Sequence, residues 1–394
     1  MNGSCDVAVL GASPAWLCVA IRLLQMGRTV TILERAAPAH GNVGELLTPG
    51  VRGILDFLGL PDAMQDARGQ NVISSRVIWP EQDAAVSRPP FQQAGIMVDR
   101  ALFDRRLLRA ALDSGANVRL STVASMVRHP EGWRIGIDNS GDRQLIAAHF
   151  VVDARGRNGS ANGRVPLTPH LLAICCEFPA HKKECEVSVE ALEDGWLWGA
   201  PTSRGFYRVL VFGDPAATRQ KQTGHALTRL QGMLGRSRLF QHLATLQASR
   251  FAAYNATSFL HRDWWDKDIL KVGDAALALD PLSSSGVEKS MRLALQAALA
   301  INTILTKENA SPLARQFMEA KVFESCGRHM AWMQEQYATA WCAREAPFWR
   351  ERAAEQSLKG LPEFAALRVA DARTTALSAV KIDKLVHRSI KGFT

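Results

Sequence analysis

Residues 273–286 read GDAALALDPLSSSG, in which four residues have the spacing of a nucleotide-binding loop. Gly273 and Asp274 are followed by Pro281 and then by Gly286. An aspartate that follows a strand can accept hydrogen bonds from the ribityl hydroxyl groups of a flavin. The turn of small residues before the next helix offers backbone N–H groups to the flavin ring and its pyrophosphate. The alternative is a loop that only caps a helix.

A second nucleotide-binding pattern lies near the start of the chain. An apolar run, a turn, an amphipathic stretch and a second apolar run ending at Glu34 follow the order of a dinucleotide-binding βαβ unit. Of the three glycines of a G-x-G-x-x-G turn, only Gly11 is present, because Ser13 and Trp16 replace the others. Ser13 offers a hydroxyl to a phosphate oxygen, whereas an indole at Trp16 must push the helix away or turn outward. Glu34 is placed to accept hydrogen bonds from a ribose. The unit either binds a dinucleotide or is a βαβ scaffold that no longer binds one. The presence of both nucleotide-binding patterns in one chain is explained if both bind the same FAD.

Apolar periodicity predicts the secondary structure around these patterns. Strands are expected at 6–10, 29–33, 118–123, 133–137 and 149–154, and helices at 15–26, 46–58 and 101–113. The segment 170–213 is β-rich, 225–248 is helical, 268–305 reads strand, loop and long helix, and the chain from 311 is mostly helical.

Composition limits the classes of partner and compartment. The 394 residues carry a formal charge of +9, which suits an acidic partner or an anionic ligand. Basic residues are not interleaved with aromatic ones, so we expect no nucleic acid. Seven cysteines without a C-x-x-C pair or a zinc spacing predict no metal site and a reducing compartment, the cytoplasm. The apolar N-terminal run is broken by Gly11 and Pro14, so we expect no membrane span.

The chain resembles the class A flavoprotein aromatic hydroxylases and, more closely, the flavin-dependent halogenases and the monooxygenases related to them. The resemblance covers residues 5–305 and rests on Gly11, Glu34, VGELLTP (43–49), MVDRALFDRRLL (97–108), VVDARGRNGS (151–160) and the G-D/P/G pattern. It implies that Arg100 lies beside the FAD pyrophosphate, Asp274 on the ribityl chain, Asp153 near the nucleotide, and Gly44 and Glu45 near the flavin. Glu45 is then a candidate catalytic base, with a structural or flavin-contacting role as the alternative. The candidate FAD-binding residues are Gly11, Ser13, Pro14, Ala15, Glu34, Arg35, Gly44, Arg100, Val123, Asp153, Gly273, Asp274, Pro281, Ser285, Gly286 and Val287.

This resemblance implies an α/β (α+β) fold: a Rossmann-type FAD-binding domain, an inserted β-sheet substrate domain and a helical C-terminal region. The FAD-binding domain is expected at 1–75, 96–168 and 256–310, the substrate domain at 76–95 and 169–255, and the helical region at 311–394.

The stretch GWLWGAP (195–201) resembles the W-x-W-x-I-P signature of flavin-dependent halogenases, with Ala200 in place of isoleucine. Trp196 and Trp198, two residues apart on a strand, face the same side. Together with Pro201 they are candidates for the substrate pocket, where they would line a flavin tunnel or an aromatic substrate. The alternative is that both indoles pack into the core.

Two other positions argue against halogenation. Halogenases of this family need a lysine that falls near Ser74 here, and residues 71–79 contain none. Tryptophan halogenases also carry a glutamate where this chain has Ser283, whereas pyrrole- and phenol-type halogenases share the S-S-G-V of residues 284–287. The resemblance therefore favours an FAD-dependent monooxygenase that hydroxylates an electron-rich aromatic ring through a C4a-hydroperoxyflavin. Molecular oxygen is the co-substrate, and NADH, NADPH or a separate flavin reductase is the electron donor.

The relatives that differ from the halogenases in the same way suggest the substrate. The chain resembles flavoprotein monooxygenases that hydroxylate a tryptophan side chain of a partner protein during biogenesis of tryptophylquinone cofactors. It shares with them a halogenase-like sequence without the lysine, a moderate length and a glycine turn that has lost glycines. An acidic protein or peptide is thus the expected partner. The alternatives are a small aromatic substrate, halogenation, and a non-catalytic scaffold or chaperone.

Overall fold

A computed structural model describes residues 3–11, 13–34, 44–72, 74–79, 86–88, 95–139, 142–180, 186–215, 223–307 and 309–354. The helices are α1 (Pro14–Gln25), α2 (Gly50–Phe57), α3 (Ala63–Asp66), α4 (Arg100–Asp113), α5 (Thr223–Arg236), α6 (Gly286–Thr306), α7 (Ser311–Arg344) and α8 (Pro347–Ala353). The strands are β1 (Ser4–Leu10), β2 (Val30–Glu34), β3 (Gly44–Leu47), β4 (Gln70–Val72), β5 (Ser74–Ile78), β6 (Val86–Arg88), β7 (Gly95–Asp99), β8 (Asn117–Leu120), β9 (Thr122–His129), β10 (Gly132–Asn139), β11 (Asp142–Asp153), β12 (Arg164–Pro166), β13 (Leu172–Pro179), β14 (Glu186–Leu192), β15 (Gly195–Pro201), β16 (Phe206–Gly213), β17 (Arg250–Asn255), β18 (Phe259–His261), β19 (Trp265–Asp266), β20 (Ile269–Lys271) and β21 (Leu277–Ala278).

The first large sheet has a parallel centre. Its order is β19-β20-β11-β1-β2-β8, and β9 and β10 extend from β11 as an antiparallel meander. In the register of the centre, Val9 lies between Val152 and Ile32. These strands are apolar along nearly their whole length because helices and the meander cover both faces. The helix α1 packs against α6 and α4 on one face. The carboxyl ends of β1, β2, β11 and β20 therefore meet at one edge, where parallel sheets bind ligands.

The second large sheet has seven strands in the order β17-β13-β16-β15-β14-β5-β6. It is antiparallel except for the parallel pair β14 and β5. One face packs against apolar residues of α5, including Leu230 and Met233. The other face packs against Tyr337 of α7 and Trp349 of α8. Two three-stranded sheets, β3-β7-β4 and β12-β18-β21, complete the topology. None of the described helices is long and apolar enough to cross a membrane.

The α/β fold class predicted from the sequence is confirmed, and three element boundaries are corrected. The predicted strand 118–123 is two strands, because residues 117–120 pair with β2 and residues from Thr122 pair with β10 instead. The predicted helix 46–58 begins at Gly50, since residues 44–47 pair with β7 instead. The predicted helix 225–248 ends at Arg236, where Glu190 accepts hydrogen bonds from the Ser237 hydroxyl and the next two backbone N–H groups.

The two large sheets use separate parts of the chain. The seven-stranded sheet uses residues from 74–88 and 172–255 only, and the parallel sheet uses residues outside those ranges. The domain boundaries themselves stay a prediction.

Candidate functional site: an FAD-type cleft edge and a buried aromatic cluster

The loop that follows β20 begins with a tight turn at Gly273. This glycine has a φ of +57°, which favours glycine, and starts a single 3₁₀ turn, Gly273–Ala275. Asp274 in that turn is 41% exposed and accepts a hydrogen bond from Arg157 Nε at 3.1 Å. Arg157 also donates to the carbonyls of Asn255 and Thr257 at the end of β17. Asp274 is thus oriented by a cation and still reachable by a polyhydroxyl ligand.

The second half of the loop leads into α6. Residues 281–290 are half-buried throughout, and the N-cap residue of α6, Ser285, makes no side-chain capping bond. Beside Gly286 there is open space, since a Cβ added there would meet nothing within 4 Å. The first N–H groups of a helix have no partner inside the helix. This helix N-terminus is therefore a suitable binding place for the electronegative edge of a flavin.

The glycine turn at the N-terminus of α1 keeps its geometry despite the substitutions. Gly11 has a φ of +109° and donates its N–H to Leu33. Pro14, which has no N–H, begins α1, and the N–H groups of Trp16 and Leu17 donate to the Ser13 carbonyl, so Ala15 supplies the N–H that this N-terminus can offer to a ligand. Ala15 is buried beside the turn.

Trp16 does not turn outward, so that sequence-based alternative is wrong. Its side chain is 1% exposed, within the core shared by α1, α6 and the parallel sheet. A Cβ on Gly11 would lie 2.7 Å from Trp16 Cζ3, and one on Gly273 would lie 3.6 Å from Trp16 Nε1. The indole therefore fills the space between the two turns, and glycine is required at position 11 both by φ and by this contact.

Other candidate FAD residues lie at the same sheet edge or close to it. Glu34 ends β2, and its carbonyl accepts a hydrogen bond from the Ser121 N–H. Val123 follows in β9, a strand that contacts β2. Asp153 ends β11 and accepts two hydrogen bonds from Arg155, at 2.9 and 2.8 Å. Burial raises the pKa of Asp153, but the hydrogen bonds and charge of Arg155 outweigh burial and hold this pKa below its usual value.

The strand β3 and the helix α4 approach each other through β7. Gly44 pairs with Asp99 in the register of β3 and β7, which places it next to Arg100, the first residue of α4. Asp99 caps α4 with its side chain, and Arg100 forms an ion pair with Asp104. Glu45 pairs through its backbone with Val98. Arg35 lies outside the described residues. The FAD-binding role of this whole set, and the catalytic role of Glu45, stay predictions.

The two tryptophans of GWLWGAP lie on one face of β15, as their spacing predicts. Trp196 and Trp198 belong to a buried cluster, here called the aromatic cluster: Trp79, Trp196, Trp198, Phe212, Tyr337, Phe348 and Trp349. Trp196 stacks on Phe212 with ring centroids 3.8 Å apart, and Trp349 lies 5.6 Å from Trp79 and 5.8 Å from Tyr337. Pro201 ends the same strand and is buried. The role of these residues as a substrate pocket stays a prediction.

The aromatic cluster adjoins both segments predicted to contact the flavin. Leu46 of β3 and Leu282 of the loop before α6 pack into the same buried cluster. An aromatic ring bound here would therefore lie close to the loop 281–286.

The sequence did not point to the polar group that joins this loop to α7. Asp280, which is 2% exposed, accepts hydrogen bonds from the Tyr337 hydroxyl at 2.8 Å and from the Leu282 N–H at 3.0 Å. The Asp280 N–H donates to Nε2 of His329 at 2.9 Å. Burial raises the pKa of Asp280 and raises that of Tyr337 well above its usual value. The sequence contains one indication of this group. His329, Met333 and Tyr337 are spaced four residues apart, which places them on one face of a helix.

Comparison with known proteins gives a family and several similar structures. A family model described as tryptophan halogenase matches residues 71–379. The tryptophan 2-halogenase of Chondromyces crocatus is 25% identical over 81% of this chain and 65% of its own length. The structure of QhpG, a peptidyl tryptophan dihydroxylase essential for tryptophylquinone cofactor biogenesis, aligns with a TM-score of 0.77 at 28% identity, over 90% of this chain and 80% of QhpG. The myxobacterial chondrochloren halogenase CndH aligns with a TM-score of 0.81 at 25% identity, over 94% of this chain and 90% of CndH.

These matches place the chain in the class of FAD-dependent oxidoreductases. The chain belongs to the tryptophan halogenase family, whose model matches well over half of it. The family resemblance and the enzyme class predicted from the sequence are confirmed. The chain spans slightly less than two thirds of the length of the tryptophan 2-halogenase.

The residues of the sheet edge fit an FAD. Two helix N-termini without side-chain caps are available for phosphate and flavin oxygens, and Gly286 leaves open space above one of them. The carboxylates of Glu34 and Asp274 stand at strand ends, where ribose and ribityl hydroxyls need acceptors. Among the described residues no cluster of His, Cys, Asp and Glu could hold a metal ion.

Proposed function

We propose that this protein is an FAD-dependent monooxygenase that hydroxylates an electron-rich aromatic ring. The proposed substrate is a tryptophan side chain of an acidic partner protein or peptide, modified during quinone-cofactor maturation. Electrons come from NADH or NADPH, directly or through a separate flavin reductase, and molecular oxygen is the co-substrate. Because the six cysteines that the structure describes form no disulfide and all but Cys342 are buried, we place the protein in the cytoplasm.

One observation supports hydroxylation over halogenation most strongly. The resemblance places the halogenase lysine on strand β5, near Ser74, whose hydroxyl donates to Glu186 at 3.1 Å. Residues 71–79 contain no lysine at all. An amine that would capture an oxidised halide is therefore missing from this strand, and oxygen would pass directly to the substrate.

The chain's own residues account for binding and orientation. FAD supplies activated oxygen when it is bound, and the N-termini of α1 and α6, with Glu34 and Asp274, would hold it. The buried aromatic cluster excludes water beside the loop 281–286, and such a dry site favours oxygen transfer over release of peroxide. Trp196, one face of which is covered by Phe212, and Trp198 would line the pocket that orients an indole.

The protein substrate is supported by charge and by similarity. The chain carries a net charge of +9, which would speed association with an acidic partner. QhpG, which resembles this chain over 90% of its length, is a peptidyl tryptophan dihydroxylase. The hydrogen bond between Asp280 of the loop 273–286 and Tyr337 of the aromatic cluster joins the loop to the cluster.

The test is a product analysis under ¹⁸O₂. The protein is supplied with FAD, NADH, a flavin reductase, catalase and bromide, with an acidic tryptophan-containing peptide and N-acetyltryptophanamide as competing probes. We expect the peptide to gain ¹⁸O on its tryptophan, and the Asp274→Ala variant to give none. A brominated product without ¹⁸O would overturn hydroxylation, and ¹⁸O on the amide but not on the peptide would overturn the protein substrate.

Halogenation is the second candidate, because most of the similar proteins are halogenases. The family match and the S-S-G-V of residues 284–287 favour it. The bromine isotope pattern in the same experiment identifies it directly.

A further inference from the structure

The side chain of Lys289 lies one turn into α6 and faces α7. Its Nζ is 3.2 Å from Nδ1 of His329. The carboxylate of the adjacent Glu288 turns the other way, to the Thr48 hydroxyl and to Arg292. In the part of the chain that the structure describes, Lys289 takes part in no ion pair with a carboxylate.

The hydrogen bond at Nε2 of His329 determines which ring nitrogen carries the proton. A backbone N–H can only donate, so the Asp280 N–H requires a lone pair on Nε2 of His329. An imidazole without a proton on Nε2 is neutral and carries its proton on Nδ1. The Nδ1–H is then the donor toward Lys289, and Nζ can accept only with a lone pair. An ammonium group has none.

We propose that Lys289 is an uncharged, nucleophilic amine at neutral pH, and hence a site of covalent modification by small electrophilic carbonyl compounds. The half-buried side chain remains reachable by a small reagent. In the reaction, Nζ attacks the carbonyl carbon and a C–N bond forms. With an acyl donor the carboxylate leaves and the amine proton passes to solvent.

The surroundings support an uncharged amine. Burial lowers the pKa of Lys289, and the charge of Glu288 only partly opposes this. Burial also lowers the pKa of His329 to about 3, so the imidazole is neutral. Cys326 is fully buried and its pKa is raised to about 12 by burial, so it supplies no thiolate to hold an ammonium group. A cation in the first turn of a helix is also disfavoured by the helix dipole.

The test is competitive labelling of the whole protein with trace acetic anhydride across a pH series, read residue by residue by mass spectrometry. The pH midpoint of labelling reports the amine itself and is independent of how exposed it is. We expect the Lys289 midpoint to lie below neutral pH and well below those of the exposed Lys267 and Lys307. A Lys289 midpoint in the alkaline range would overturn the proposal.

A matched pair of substitutions gives an independent test that needs no labelling. Lys289→Met removes the charge and keeps the length, whereas Lys289→Arg places a permanent cation with no lone pair against the Nδ1–H donor. We expect the arginine variant to melt several degrees below the methionine variant. An arginine variant as stable as the wild type, with a destabilised methionine variant, would show that position 289 holds a cation.

Discussion

Replacing Asp280 with alanine is expected to destabilise the protein by about 2–4 kcal/mol and to weaken FAD binding at least about tenfold. The carboxylate is buried, and both of its oxygens are used, by the Tyr337 hydroxyl and the Leu282 N–H. Alanine would leave these two buried donors without partners, each at a cost of about 1–3 kcal/mol. The loop that leads to Gly286 would also lose its side-chain hydrogen bond to Tyr337 of α7, keeping only the backbone bond to His329.

Asparagine at position 280 is the matched control. Its oxygen accepts from the Leu282 N–H, and its amide group donates to the Tyr337 oxygen after the hydroxyl rotates. We expect Asp280→Asn to keep stability within about 1 kcal/mol of the wild type in urea unfolding, with FAD affinity largely retained. If alanine and asparagine were equally damaging, the charge of Asp280 rather than its hydrogen bonds would be essential. If both were harmless, the connection to α7 would have no role.

The second large effect is a loss of stability in mild acid caused by His329. Its side chain is 1% exposed, and burial lowers its pKa to about 3, whereas an unfolded histidine titrates near 6.5. Below about pH 6.5 His329 binds a proton in the unfolded chain but not in the folded chain. The stabilisation is therefore complete above about pH 6.5 and is lost as the pH falls toward 3, by about 3 kcal/mol at pH 4.

The measurement is urea unfolding between pH 7 and 4, compared with a His329→Gln variant. We expect the wild type to lose more stability over this range than the variant does, by about 3 kcal/mol. Carboxylates that titrate in the same range contribute equally to both and cancel. The substitution of the exposed His242 by glutamine is the control and should leave the wild-type slope unchanged. Parallel slopes for wild type and His329→Gln would contradict a buried neutral imidazole.

Much of the fold could be predicted from local sequence. The strands 6–10 and 29–33 are continuous apolar runs, and the structure makes them the buried parallel centre. The G-D/P/G spacing correctly predicted a strand, a tight turn and a helix N-terminus. The predicted helix boundaries were wrong where residues far away in the sequence form hydrogen bonds with the backbone of the predicted helix. Residues 46 and 47 pair with β7, and Glu190 captures the backbone after Ser237.

The candidate site was only partly predictable, because its polar connections join residues far apart in the chain. Nothing near Asp280 indicates that residues on α7 would bond both its backbone and its side chain. Trp16 shows the same limit. The pattern suggested crowding, but the space between Gly11 and Gly273 that receives the indole exists only in the folded protein.

The most direct test of the account is an FAD titration of the purified protein, followed by flavin fluorescence, with Asp274→Ala beside it. We predict saturable binding by the wild type and at least about tenfold weaker binding by the variant, because Asp274 is the exposed carboxylate of the G-D turn. Arg157→Ala, which removes the partner of Asp274, should weaken binding less. Failure of the wild type to bind FAD would contradict the account, mean that Trp16 closes the site, and leave a non-catalytic scaffold as the role of this fold.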